Sequence, residues 1–338
     1  MTQKPSKTPL LPELHETPEI PIGIRMREET NLPKLWIWLS ILLALGLIVG
    51  GIVGSAIWSW LKNIDIPTSN TGPAPITTLK VQRTVSYADL TFTILTAQYS
   101  TSFADDEIHA GQGIVRVNMH VANHSTIQVG VVYYNIARLL APKLDPIAPG
   151  NVHLSVSPKP GSSETGWIDF PIAKSVQLNT LKLQLGSMPL GESLVTVPFT
   201  GPFDPSRYAN KVSSQDQTFY YNFRGSILIY HLTSVEIRYS YRGAQCKAGQ
   251  QFYVLNFRVD NPNDGNVSPG FGYDYLRLVI NGTDRAPLDS TLPYGFNGGA
   301  TGVSGHAEFA APAGMKTITI GFLSQLGYGQ ETKYDVTL

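Results

Sequence analysis

His120 and His124 stand four residues apart. On a helix that spacing turns two imidazoles toward one metal ion. The run that holds them alternates apolar and polar residues, and on a strand four residues separate side chains by about 13 Å. Asp105-Asp106-Glu107 clusters the hard oxygens that calcium takes, yet it sits between strand-like runs as a solvated loop. Asp260-Asn-Pro-Asn-Asp-Gly-Asn266 has the composition of a calcium loop, but Pro262 fills the third ligand position and no Glu follows at the twelfth. Gly302-Val-Ser-Gly-His306 lacks the last glycine of a serine-hydrolase elbow, and no strand-to-helix context surrounds it. No glycine loop ending in Lys-Ser or Lys-Thr offers a phosphate cradle. Cys246 is the single cysteine, so there is no internal disulfide; it is a free thiol, an interchain partner or an inert core residue. Asn123-His-Ser, Asn266-Val-Ser and Asn281-Gly-Thr match the glycosylation pattern at a frequency expected by chance. These residues point to no metal, no cofactor and no catalytic group, and the chain is read as a non-enzyme.

The remaining candidate is aromatic. Eleven of the 16 tyrosines fall after residue 215. Phe271-Gly-Tyr273-Asp-Tyr275 and Tyr294-Gly-Phe296-Asn-Gly-Gly299 set rings among small, adaptable residues, as binding loops do. Tyr273, Tyr275, Tyr294 and Phe296 are the expected contacts for a glycan or protein ligand. The bland reading of the same rings is that they fill a core.

Any such site must be positioned, and the strongest positional signal is a membrane segment. Leu35 to Leu61 is 27 residues without a charge, closed by Lys34 and Lys62. As a helix it would run about 40 Å, enough to span a bilayer core of about 30 Å. Trp36 and Trp38 at one end and Trp58 and Trp60 at the other form an aromatic belt. Arg25, Arg27 and Lys34 precede the span and Lys62 alone follows closely, which predicts a cytoplasmic N-terminus and extracytoplasmic C-terminal domains. The apolar run is longer than the 7–15 residues of a cleaved signal. Gly46, Gly50 and Gly54 repeat the small-xxx-small spacing that lets two helices approach, a face for a homodimer. Residues 1–34 hold six prolines and read as a disordered tail; residues 62–79 are rich in Ser, Thr, Pro and Gly and read as a spacer.

Beyond the spacer the chain repeats itself at about 138 residues. Val117-Asn-Met-His-Val-Ala-Asn123 matches Leu255-Asn-Phe-Arg-Val-Asp-Asn261; Gly166-Trp-Ile-Asp-Phe170 matches Gly305-His-Ala-Glu-Phe309; Thr180–Leu185 matches Thr317–Phe322. The matches occur in one order, which predicts two copies of one fold, 80–200 and 216–338, joined by 201–215. Val115, Val117, Met119 and Val121 alternate with Arg116, Asn118, His120 and Ala122, so the first set is expected on a core face and the second toward water. Tyr253, Leu255, Phe257 and Val259 repeat the pattern. Short alternating runs divided by Asn-Gly and Pro-Gly turns predict an all-β fold: two tandem immunoglobulin-like β-sandwich domains behind one N-terminal transmembrane helix.

The strand ending in Asn (VNMHVAN, LNFRVDN) followed by a Gly-x-x-acidic-Phe strand (GWIDF, GHAEF) resembles the telokin-like, immunoglobulin-like extracellular domains of unknown function found on single-span bacterial envelope proteins. The resemblance covers about three quarters of the chain and implies a β-sandwich carrying no assigned catalytic residue. The cysteine pair of antibody-type domains is missing.

Net charge is zero, from 25 basic and 25 acidic residues, which argues against a nucleic-acid binder, whose chain would show a basic stripe or a high pI. The expected function is therefore a membrane-anchored interaction or structural protein of the bacterial cell envelope, holding its modules out to a protein or glycan. The alternatives are an accessory subunit of a secretion, transport or sensing complex and, least of all, an envelope hydrolase with paired carboxylates in a cleft.

Overall fold

The computed structural model describes residues 74–105, 113–172, 176–323 and 332–338. Contacts divide the chain into Met1–Asn70, outside those residues, and Thr71–Leu338, one compact unit. The expected membrane helix over 35–61, with Trp36, Trp38, Trp58, Trp60 and its glycine face, thus lies outside the described residues. Among the described residues no helix is long and apolar enough to cross a membrane.

The described chain is all-β. Its first half forms β1 (Thr77–Tyr87), β2 (Leu90–Ser100), β3 (Gly113–Asn123), β4 (Ala137–Leu140), β5 (Asn151–His153), β6 (Ser163–Ile172), β7 (Lys182–Leu185) and β8 (Val195–Pro198), with one helical turn, α1 (Tyr133–Ile136), before β4. One antiparallel sheet has the order β1-β2-β3-β6-β5 and the other β4-β7-β8. The second half forms β9 (Lys211–Phe223), β10 (Ser226–Arg238), β11 (Ser240–Tyr241), β12 (Ala244–Gln245), β13 (Gln250–Asp260), α2 (Gly272–Tyr275), β14 (Leu276–Ile280), β15 (Thr283–Arg285), β16 (Asp289–Ser290), β17 (Val303–Pro312), β18 (Thr317–Phe322) and β19 (Thr332–Thr337). Its sheets run β16-β17-β13-β10-β9 and β15-β14-β18-β19. The order of the first half therefore recurs, with the β11–β12 hairpin and β15 added. β1 begins at Thr77, inside the stretch read as spacer, and β9 at Lys211, inside the stretch read as joint.

Each half buries its own core. Phe92, Val117 and Phe170 from one sheet meet Leu139, Leu183 and Val197 from the other. Tyr230, Leu255 and Phe309 likewise meet Leu278, Ile320 and Val336. Val115, Val117, Met119 and Val121 are fully buried, so the period-two alternation sets the core face of β3. Each such side chain contributes about 1.5–3 kcal/mol by leaving water. The sheet pairs are also stitched along one side. Arg83 of β1 donates to the carbonyl of Pro198, the last residue of β8, and to that of Gly201 just beyond it. In the second half Tyr334 of β19 accepts from Tyr220 N at 3.1 Å and donates to Tyr220 O at 3.0 Å, which caps the outer edge of β9.

The outward face of β3 departs from expectation. Arg116 was expected in water and is buried. Its guanidinium donates to both carboxylate oxygens of Asp169 at 2.8 Å and to Asp105 at 2.9 Å, between the rings of Phe103 and Trp167. Two other segments supply those partners, the stretch after β2 and β6, which alternation along one strand does not reveal. Asp105 is thus an ion-pair partner; Asp106 and Glu107 lie outside the described residues.

The asparagine that ends each repeated strand is a loop clamp. Asn123 is fully buried; its amide donates to Ile127 O at 2.8 Å and Pro158 O at 3.0 Å, and its oxygen accepts from Ser125 N and Oγ. Asn261 is equally buried and donates to Gly265 O, Phe296 O and Asn297 O at 2.9–3.0 Å. Alanine at either site strands several buried backbone groups, so Asn123→Ala and Asn261→Ala are each expected to lose about 2–4 kcal/mol of stability in denaturant titration. A loss under about 0.5 kcal/mol would show the clamp to be dispensable.

Candidate functional site

The four aromatic residues expected to face a ligand divide into two pairs. Tyr275 and Phe296 are 2% exposed and belong to the second core. Tyr275 stacks on Tyr221 at 5.2 Å and accepts a hydrogen bond from Tyr230 Oη at 2.9 Å; Phe296 meets Tyr230 edge-on at 6.2 Å. They cannot contact a ligand in this fold. Tyr273 and Tyr294 are exposed, and Phe271 stands exposed between them, 6.4 Å from Tyr273 and 5.3 Å from Tyr294 between ring centroids. Phe271 was part of the quoted motif without being singled out.

Local chemistry fixes this patch. Phe271 N donates to Asp274 Oδ2 at 2.8 Å, and Asp274 N donates back to Phe271 O at 2.8 Å. Arg277 donates to the carbonyls of Tyr273 and Leu276 at 2.8 and 2.7 Å, holding the turn that carries Tyr273. Gly270 has φ +101, and a Cβ there would lie 2.5 Å from Asp274 Oδ2, so only glycine fits. The exposed rings are therefore presented by a braced turn rather than by a loose loop.

A second feature is the junction of the two halves. The β1–β2 tip, Ala88-Asp89, has positive φ at both residues, as does the β11–β12 tip, Arg242-Gly243, the signature of a two-residue hairpin turn. The tips dock. Asp89 accepts from Ser240 Oγ at 3.0 Å and Gly243 N at 2.7 Å, and Ala88 N donates to Gln245 Oε1 at 3.1 Å. Beside them lies a polar cleft of about 650 Å³ whose walls include Glu236, Arg238, Tyr241, Arg242, Asp289 and His306. Burial would raise the Glu236 carboxyl, but hydrogen bonds from Arg238 and Asn256 hold it below its usual range. Arg242 binds Asp289. His306 bridges Tyr241 Oη at 2.8 Å and Thr291 Oγ1 at 3.0 Å, and burial lowers its pKa, so it is neutral at pH 7.

The other sequence candidates resolve into structure. His120 Nδ1 bonds Thr165 Oγ1, and His124 is exposed on the cleft wall. Asp260 accepts from Gly302 N and pairs with His231; Asn266 accepts from Gly298 N. Cys246 is buried at the junction, and burial pushes its thiol up to about 11, which makes it inert at neutral pH. Among the described residues no three His, Cys, Asp or Glu side chains are grouped to hold a metal.

Sequence reasoning passed over Glu308, which is 4% exposed. It faces Val254 across the ladder where the first half sets Arg116 against Asp169, so the counterpart arginine is absent. Burial, and then the nearby Asp289, raise its pKa from 4.5 to about 7, against the opposing pull of Arg242 and Arg238. Asp289 lines the cleft whereas Glu308 is buried behind it.

No family model matches the sequence, and neither does any curated protein. Among solved structures, the crystal structure of a functionally unknown protein from Listeria monocytogenes EGD-e is similar to 37% of this chain and 86% of its own length, at 13% identity and a TM-score of 0.28. That likeness carries no functional argument.

The raised Glu308 pKa sets a sign for stability. Below about pH 4.5 the carboxyl is neutral whether the chain is folded or not, and its contribution is complete. Between 4.5 and about 7 only the unfolded chain ionises, so stability falls as pH rises. Glu308→Gln is expected to flatten that slope and to stabilise the protein at pH 8 by about 1–3 kcal/mol, read from denaturation midpoints at pH 5 and 8. An unchanged slope would remove Glu308 as its source.

Proposed function

We propose that this chain is a membrane-anchored, extracytoplasmic interaction protein that holds two immunoglobulin-like β-sandwich modules out to an envelope protein or glycan. The placement rests on residues 35–61: uncharged, bounded by tryptophan pairs, with the basic excess on the N-terminal side. The description as modules rests on the recurrence of one strand order around two separate cores. The interaction role is carried by one observation, the exposed Phe271–Tyr273–Tyr294 patch on a turn rigidified by Asp274 and Arg277. Large rings exposed together and held in place are what a partner surface needs, because little side-chain freedom is lost on contact.

Two measurements test this reading. Protease added to cells, with any outer barrier opened, is expected to degrade residues 63–338 and to leave the N-terminal tail intact inside sealed membranes; digestion of the tail instead would reverse the orientation. Thr71–Leu338 is expected to bind isolated envelope, and Phe271→Ala with Tyr294→Ala to lower that binding at least tenfold, about 1.4 kcal/mol. Equal retention of wild type and variant would falsify the assignment of the patch.

A further inference from the structure

The outward faces of the two repeats can be compared residue by residue. Asn118 donates to Thr96 Oγ1 and Gln98 Oε1 at 3.0 and 3.1 Å, and Asn256 donates to Ser234 Oγ and Glu236 Oε1 at 3.0 and 2.9 Å. These matched bonds set β2 and β3 over β10 and β13 in one register. Arg116 then corresponds to Val254; the ladders place Asp169 opposite the first and Glu308 opposite the second. Next along each ladder, Trp167 faces Asn118 and His306 faces Asn256. Phe103 and Tyr241 stand at the same distance along the chain from Gln98 and Glu236. In the first half the Arg116 guanidinium fills the place so defined. It lies 4.1 Å from the Phe103 ring and 4.6 Å from that of Trp167, and it donates to both oxygens of Asp169. The second half keeps a carboxyl and two rings in these positions but has a valine where the guanidinium would be.

We propose that this place in the second half binds a guanidinium group carried by a ligand, which enters through the polar cleft at the junction of the halves. Val254 and Asp289 both line that cleft, and Glu308 stands between them across the ladder, on the face they share. Glu308 is 4% exposed, and none of the ion pairs among the described residues includes it. The two arginines whose charge reaches it are bonded elsewhere, Arg238 to Glu236 and Arg242 to Asp289. Asp89, Glu236 and Asp289 line the cleft against Arg238 and Arg242, so the excess charge is negative and favours a cation over an anion. A planar guanidinium fits better than a compact ammonium, because it bonds both carboxylate oxygens and lies flat against rings, as Arg116 does. Tyr241 and His306 stand 6.3 Å apart, edge to face, with Tyr241 Oη bonded to His306 Nε2 at 2.8 Å. An entering guanidinium parts that pair, so the His306 ring reports occupancy. A cleft of about 650 Å³ admits a ligand the size of arginine.

The site shares no residue with the Phe271–Tyr273–Tyr294 patch and goes beyond the role proposed from it. Its test uses Thr71–Leu338, which holds both cores, titrated with n-butylguanidinium in a calorimeter at pH 8. Saturable binding is expected with a Kd of about 1 mM or tighter, together with a shift of the His306 ring signals in NMR spectra. Neutral n-butylurea, of the same shape, is expected to bind at least tenfold more weakly. Glu308→Gln is expected to weaken butylguanidinium at least tenfold. Val254→Arg supplies the guanidinium from the chain itself and is expected to abolish binding; Glu308→Gln and the urea comparison decide the matter if that variant does not fold. The charges acting on Glu308 are Asp289, Arg242, Arg238 and Asp89, and Glu236, Tyr241, His124 and His306 complete the titratable groups of the cleft. The cation requires the ionised carboxyl, whose pKa is about 7, so affinity is expected to rise about tenfold from pH 6 to pH 8 and to lose most of that rise in Glu308→Gln. A parallel titration with acetyl-Gly-Arg-Gly-amide separates the sources: binding of the peptide at least as tight as that of butylguanidinium points to an arginine side chain of a protein, and much weaker binding to a free guanidino compound. Absence of saturable butylguanidinium binding up to roughly 20 mM overturns the proposal. So does equal binding of butylurea, or wild-type affinity in Glu308→Gln. Each of those results leaves the envelope-binding test of Phe271 and Tyr294 unaffected.

Discussion

A buried amide at the end of the third strand organises each module. Strands satisfy their own polar groups through the ladder, but the loops that follow them cannot. Asn123 and Asn261 meet that need with one side chain each, gathering carbonyls from two loop segments into a buried site. Those loops carry the backbone bonds from Val131 to Val156 and from Gly270 to Tyr294, and through them the exposed apolar residues. Without the clamp the outer patch would have no fixed floor. The motif that marks the repeat in sequence is thus a structural requirement of the end that carries these exposed residues.

The two modules solve one problem differently. At the same ladder position, one sets Arg116 against Asp169 and the other Val254 against Glu308. The first is a closed ion pair sandwiched by rings. The second leaves a carboxyl without its arginine, beside the hairpin that receives Asp89. Gene-like duplication of a fold keeps the core and frees the outer face to change, and here that face became the seam between the halves.

Much of this was legible in the sequence. Alternation along Val115–Val121 and Tyr253–Val259 set the core face, and the spacing of the repeats anticipated a recurring strand order. The outer face was not legible, because Arg116 draws its partners from two other segments, Phe103–Asp105 and Trp167–Asp169. The aromatic motif was half legible. Tyr294 and Phe296 are two residues apart and would share one face of a regular strand. At Gly295, between them, a Cβ would lie 2.5 Å from Ser268 Oγ. The chain lies against Ser268 there, and Phe296 turns inward to pair with Val267. Composition shows rings and glycines together; only the path of the backbone tells which ring is covered.

The stitch from Arg83 to Pro198 and Gly201 has a mechanical meaning. The chain enters the first module along β1 and leaves it just beyond β8. A pull along the chain is applied to the module at those two points. The guanidinium joins them directly, so tension is shunted across a short bridge instead of peeling β1 from β2 one bond at a time. The first module is in this sense a strap whose entry and exit are buckled together by one side chain.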